Sequence, residues 1–126
     1  MAKVKVYCKM TSLLICADSE DWELVDESRI EKTYINYDRI WKHHGYVYYW
    51  VLNNLKEPTE TRGSSATLYK SHCQMRSINL LQVSYYELRW AQYDSTDFTD
   101  NMGDGYYARP DSMEEKILNI VCGHID

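Results

Sequence analysis

The chain has 126 residues, a net charge of −5 and 44% hydrophobic residues, a size that suits one domain with a core of its own. Its 14 Lys and Arg are outnumbered by 19 Asp and Glu and cluster on no segment, so the sequence lacks a phosphate-binding footprint and no nucleic acid is expected as a partner. No apolar run is long enough for a helix to cross a membrane, so no membrane span is expected.

The aromatic content is unusual: twelve Tyr and four Trp stand against one Phe. Tyr and Trp favour strands, and they favour surfaces that are apolar on one side and wet on the other. A Tyr-rich sheet is the plain reading. An exposed aromatic binding face is the sharper one.

Residues 1–20 form a segment of their own, "MAKVKVYCKMTSLLICADSE". A basic start, a short apolar run (Leu13, Leu14, Ile15) and small Ala17 resemble a secretory signal whose apolar core is several residues too short. "LLIC" resembles a lipoprotein cleavage box, but Ile15 is not the small residue such a box wants. The remnant of a signal, a mis-set start and a genuine first strand all stay open. Cys8 and Cys16 lie here and are expected unpaired. Residues 21–126 are read as a single domain.

Two strands come next, "EKTYINYDRI" (31–40) and "YVYYWVLNNL" (46–55), both rich in β-branched and aromatic residues. "WKHHG" joins them as a hairpin, with Gly45 supplying the tight backbone geometry. In the second strand Val47, Tyr49 and Val51 share one face, and Tyr46, Tyr48, Trp50 and Leu52 the other. Both faces are apolar, so this strand should be covered on both sides, a helix supplying one cover. "LKEPTETRGSSAT" (55–67) reads as a loop. The next strand is expected from about Ala66 to Gln74, with Cys73 in it. "SINLLQVSYYELRWAQY" (77–93) reads as one strand, bent along its length. Ile78, Leu80 and Gln82 are placed on one face, and Leu81, Val83 and Tyr85 on the other. "DSTDFTDNMGDG" (94–105) reads as an acidic loop, and "GYYAR" as a short strand.

The end has helical punctuation. Asp111 is the expected cap, with Glu114 three residues on, and Glu114 and Glu115 suit the positive end of the helix dipole. Met113, Ile117, Ile120 and Val121 make an apolar stripe. Gly123 is the expected C′ residue, which puts Cys122 in the last turn beside Leu118 and Val121.

A strand cysteine at 73 and a helix-end cysteine at 122 meet if the helix lies across the sheet. The alternative is two separate buried thiols. Zinc at His72-Cys73 and Cys122-Gly123-His124 is disfavoured, because adjacent strand residues point to opposite faces. The adjacent pair His43-His44 reads as solvated. Asp94, Asp97, Asp100 and Asp104 lack the ligand order of an EF-hand. No nucleophile triad or phosphate-cradling glycine loop appears, so no catalytic residue, metal ligand set or cofactor is assigned, and the chain is read as a non-enzyme.

The ordered set "DWELV", "YINYDRIWKHHGYVYYWVLNN", "YKSHCQMRSINLL" and "RPDSMEEKILNIVC", over about residues 21–122, resembles the surface-adhesin protein E family of Gram-negative bacteria. Departures are His72, where the family usually has Asp, and Tyr106 or Tyr107 in place of a Trp before Pro110. The resemblance implies an α+β fold: an antiparallel sheet of about six strands, with a C-terminal helix on one face tied by a Cys73–Cys122 disulfide. It also implies export to the periplasm, outer membrane or cell surface, given an export signal upstream, often as a lipoprotein. Its founding member binds host matrix proteins such as laminin and vitronectin.

The function expected is therefore a cell-envelope binding or adhesion module. Its partner is a host matrix or envelope protein, or a second copy of the chain as a homodimer. Tyr46, Tyr48, Trp50 and Tyr85 are the candidate contact residues. The alternative is a periplasmic domain holding a small ligand between sheet and helix.

Overall fold

The computed structural model describes residues 3–5, 21–60, 62–88, 91–98 and 105–125. In chain order the strands are β1 (Lys3–Lys5), β2 (Asp21–Glu27), β3 (Glu31–Ile35), β4 (Trp41–His43), β5 (Tyr46–Leu55), β6 (Ser64–His72), β7 (Ser77–Leu88), β8 (Gln92–Phe98) and β9 (Tyr106–Tyr107). A 3₁₀ turn (Tyr37–Arg39) lies between β3 and β4, and helix α1 (Met113–Ile125) ends the chain. Among the described residues these strands form one sheet in the order β1-β2-β3-β5-β6-β7-β8, with β4 added to β5 and β9 to β7. Every pairing is antiparallel.

Strand β5 organises the sheet. Its alternation buries Val47, Tyr49 and Val51, each 1% exposed, under the helix, while Leu52 is fully buried on the other face. One of its edges carries β6 along nearly its whole length. The other carries β3 opposite Val51–Leu55 and β4 opposite Tyr46–Tyr48. The expected strand 31–40 therefore ends at Ile35, and Trp41–His43, expected in the connection, forms β4. Asn36 breaks the expected strand: its side chain accepts a bond from the Asp38 amide at 3.0 Å, which fixes a local turn in place of a ladder. Strand β4 then returns to β5 through a two-residue turn, His44 and Gly45, with φ of 49° and 84°. Two successive positive φ values match the right-handed twist of the hairpin, and glycine carries the second without strain.

Strand β6 begins at Ser64, inside the expected loop, and ends at His72, so Cys73 lies in the turn after it. Small Ser64, Ser65 and Ala66 are all buried, because both edges of β6 are paired and both faces covered. The long strand expected over 77–93 is a hairpin of β7 and β8, and Asp94–Phe98, expected as loop, belongs to β8. On β7, Leu68 faces Gln82 and Tyr69 faces Leu80, which leaves Leu81 as an extra bulged residue. The bulge exchanges the faces beyond it. Ile78 and Leu80 share the helix side with Val83 and Tyr85, and Gln82 turns to the opposite side.

Helix α1 buries Ile117, Leu118, Val121 and Cys122 against Val25, Ile35, Val47, Tyr49, Val51 and Ile78. Its cap is Ser112, not Asp111: Ser112 Oγ accepts the Glu115 amide at 3.1 Å. Asp111 instead holds φ 62° in a turn closed by the Ser112 amide on the Arg109 carbonyl. With Pro110 at its second position, that is the geometry of a type II turn. The helix also runs through Gly123 to Ile125, so Gly123 does not end it. A second, smaller core on the opposite face gathers Trp22, Tyr34, Leu52 and Ala66.

Candidate functional site

The β6–β7 turn is where sheet and helix are tied. Cys73 and Cys122 form a disulfide with Cα atoms 6.0 Å apart. Three residues on, the Arg76 carbonyl accepts the Ala108 amide at 2.9 Å, and its guanidinium lies 3.9 Å from Glu115 at the helix start. Arg76 itself has φ 59°, which closes the four-residue turn. Cys8 and Cys16 lie outside the described residues.

Under the helix the packing is tight. The space bounded by Tyr49, Val51, Tyr69, Ile78, Met113 and Ile117 amounts to about 10 Å³, room for no more than about one water molecule. Tyr49 is 1% exposed, and its hydroxyl shares a 2.8 Å hydrogen bond with Ser71. Burial pushes the phenols of Tyr49 and Tyr69 well above the usual tyrosine range. Burial and the nearby Glu114 carboxylate also raise that of Tyr106.

The opposite face carries aromatic rings in register. Across β4 and β5, Trp41 faces Tyr48 and His43 faces Tyr46; across β5 and β6, Tyr48 faces Lys70 and Trp50 faces Leu68. Trp41 is stacked on Tyr48, 5.2 Å between centroids and 5° from parallel. Tyr46 takes the edge of His72 at 5.3 Å and the Lys70 ammonium at 4.3 Å. The outer ring of this set, Trp41, is 43% exposed.

Of the candidate contact residues, Tyr46, Tyr48 and Trp50 thus lie together, half-buried, on the face away from the helix. Tyr85 lies on the helix side, because the Leu81 bulge changes its phase; the Arg62 guanidinium covers its ring at 4.3 Å. Trp41, stacked on Tyr48, is a member of this aromatic face that the sequence reading omitted. Its signal was present: counting back from the His44-Gly45 turn pairs residue 41 with 48.

His43 and His44 stand edge to face, 3.9 Å between centroids, at the hairpin tip. His72 accepts the Met75 amide through Nδ1 at 3.1 Å, which orders the β6–β7 turn. Among the described residues no three His, Cys, Asp or Glu side chains gather as a metal site. Asp100 and Asp104 of the acidic stretch lie outside the described residues, and no described helix is long and apolar enough to cross a membrane.

A sheet with one C-terminal helix stapled to a hairpin turn has solved counterparts. Two structures of Haemophilus influenzae protein E are similar to this chain. One, crystal form II, matches with a TM-score of 0.63 at 16% identity over 79% of this chain and 91% of its own. The other matches with a TM-score of 0.62 at 14% identity over 96% of this chain and 93% of its own. At such identity the likeness is one of fold. No curated protein matches the chain in sequence. The family model described as surface-adhesin protein E matches residues 22–123, which span β2 to the last turns of α1 and include both bridged cysteines, and the chain belongs to that family.

Proposed function

We propose that the protein is a non-enzymatic adhesion module of the cell envelope, and that it contacts a protein partner with the aromatic face of its sheet. Family membership supports the adhesion role and a surface or envelope location. The observation that carries the choice of face is a contrast. Beneath the helix, the space bounded by Tyr49, Val51, Tyr69, Ile78, Met113 and Ile117 is filled to within about 10 Å³. The other face presents Trp41 at 43% exposure, stacked on Tyr48 and flanked by Tyr46 and Trp50. A small ligand needs a cleft of roughly 300 Å³ or more, so the filled space favours a partner that docks on a surface over one held between sheet and helix. Large rings with few rotatable bonds give contact area at low entropic cost.

The test is binding of the oxidised protein to immobilised matrix proteins and to envelope extract, with Trp41→Ala and Tyr48→Ala beside the parent. The expected outcome is saturable binding that falls at least about tenfold in the Trp41 variant, as for a central aromatic contact. Saturable binding indifferent to Trp41, Tyr46, Tyr48 and Trp50 overturns the face assignment. A small molecule that co-purifies and is displaced by changes at the helix–sheet interface supports the ligand-binding alternative instead.

A further inference from the structure

We infer that the partner presents an extended segment, and that this segment adds to the sheet as a short antiparallel strand on the outer edge of β4. This rests on the protein-binding reading above and narrows it. Among the described residues, β4 is paired on one side only, to β5. The phase of its backbone follows from the turn. His43 and Tyr46 flank a two-residue turn with two positive φ values, so they form a hydrogen-bonded pair, and so do Trp41 and Tyr48. Lys42, opposite Val47, falls between them at a non-hydrogen-bonded position. Its N–H and C=O therefore point away from β5. Among the described residues no other backbone group meets them, and Trp41, Lys42 and His43 are all exposed. Ile40 is extended as well, with φ −105° and ψ 125°, so the open edge takes in residues 40–43.

The side chains fix what pairs there. Successive strand residues alternate between faces. Trp41 and His43 lie with Tyr48 and Tyr46 on the aromatic face, and Lys42 lies with Val47 on the helix side. In an antiparallel addition, one residue of the segment exchanges both main-chain bonds with Lys42. Its two neighbours then stand opposite Trp41 and His43 at non-hydrogen-bonded positions, where side chains approach closest. β-Branched or aromatic residues at those two places gain most, because they pack on the rings. Trp41 is 43% exposed and already held by its stack on Tyr48, so it offers that area at little cost in ordering. An edge this short cannot template a long strand, which limits the occupant to a short segment.

The experiment uses the full oxidised chain, immobilised matrix proteins and a fluorescent peptide of about eight residues in which Val alternates with Thr. The peptide is N-methylated on every Val, so that only its Thr edge can pair and it cannot stack on itself. A control peptide is methylated on every residue. The one-edge peptide should bind saturably, and the control at least about tenfold more weakly. Lys42→Pro removes the outward N–H without removing a bond to β5, as proline on an edge strand does, and extended Trp41 suits the position before it. It should lower the affinity for peptide and matrix protein at least about tenfold, with melting temperature held within about 2 °C. Lys42→Gln keeps the amide and should change binding no more than about threefold. In the parent chain, bound peptide should slow amide exchange at least about tenfold at Lys42 and little at Trp41 and His43, whose amides already pair with β5. Equal binding of the two peptides, or no change in exchange at Lys42, overturns the strand addition. Matrix-protein binding that survives in Lys42→Pro but falls in Trp41→Ala also overturns it, and leaves the aromatic face standing as the docking surface. A dimer that Lys42→Pro converts to monomer in sedimentation gives the edge to a second copy of the chain and overturns the partner segment. If neither peptide nor any matrix protein binds, the inference and the function it rests on fall together.

Discussion

Cys73 and Cys122 are 49 residues apart in sequence and 6.0 Å apart between Cα atoms, one in the β6–β7 turn and the other in helix α1. The bond joins an element held by the ladder on both sides to the only helix of the described chain. Closing a loop of that length removes chain entropy from the unfolded state, worth about 4 kcal/mol in that model. The double substitution Cys73→Ser/Cys122→Ser should therefore lower the free energy of urea unfolding by roughly 2–4 kcal/mol. Peptide mapping without reductant should find the linked pair, and free thiols at both positions after oxidising purification would contradict the staple.

Leu118 is fully buried between helix and sheet. Leu118→Ala should cost about 2–5 kcal/mol, the range for a cavity in a packed core. Asn119, one residue on, is exposed, and Asn119→Ala should change stability by no more than about 0.5 kcal/mol. Equal effects in denaturant titrations would mean that the buried stripe is wrongly phased.

The helix cap discriminates between neighbours. Ser112→Ala removes the acceptor of the Glu115 amide and should cost about 1 kcal/mol. Asp111→Gly should be neutral or stabilising, because φ 62° suits glycine. A larger loss at 111 than at 112 would restore Asp111 as the cap.

Gly105 holds φ 85°, and a Cβ there would lie 2.7 Å from the Ile78 carbonyl and against the Asn79 side chain. Backbone cannot yield as a flexible side chain can. Gly105→Ala should thus destabilise by more than about 1 kcal/mol and push β9 off β7. Faster amide exchange at Ala108, whose N–H bonds to Arg76, would report that displacement.

Tyr49 and Tyr69 give the protein an alkaline limit. Their phenols titrate higher when folded than when unfolded, because burial disfavours the phenolate. Their contribution to stability is full below the ordinary tyrosine value of about 10 and is lost as pH rises above it, since the unfolded chain releases those protons first. Each phenol that stays protonated should steepen the loss by about 1.4 kcal/mol per pH unit. Tyr49→Phe should flatten the decline above about pH 10, at the cost of leaving the buried Ser71 hydroxyl without its 2.8 Å partner. Adding Ser71→Ala should recover part of that cost. An unchanged alkaline slope in Tyr49→Phe would exclude Tyr49 as its source.

Local pattern determined much of this protein. The alternation of "YVYYWVLNNL" fixed β5 residue for residue and both of its apolar faces, because period two is a property of the strand itself. The stripe Ile117, Leu118, Val121 set the helix face, and the positions of residues 73 and 122 allowed the staple. Other features needed a partner chain segment to exist. Whether "SSAT" is loop or strand depends on β5 and β7 standing on either side to bury small polar residues and pair their backbone. The bulge at Leu81 is a relation between two strands, invisible in either alone, and it moved Tyr85 away from Tyr46, Tyr48 and Trp50. The aromatic face was hidden for the same reason. Its residues come from two hairpins about thirty positions apart, and only the register, set by long-range pairing, lays Trp41 and Lys70 on either side of Tyr48.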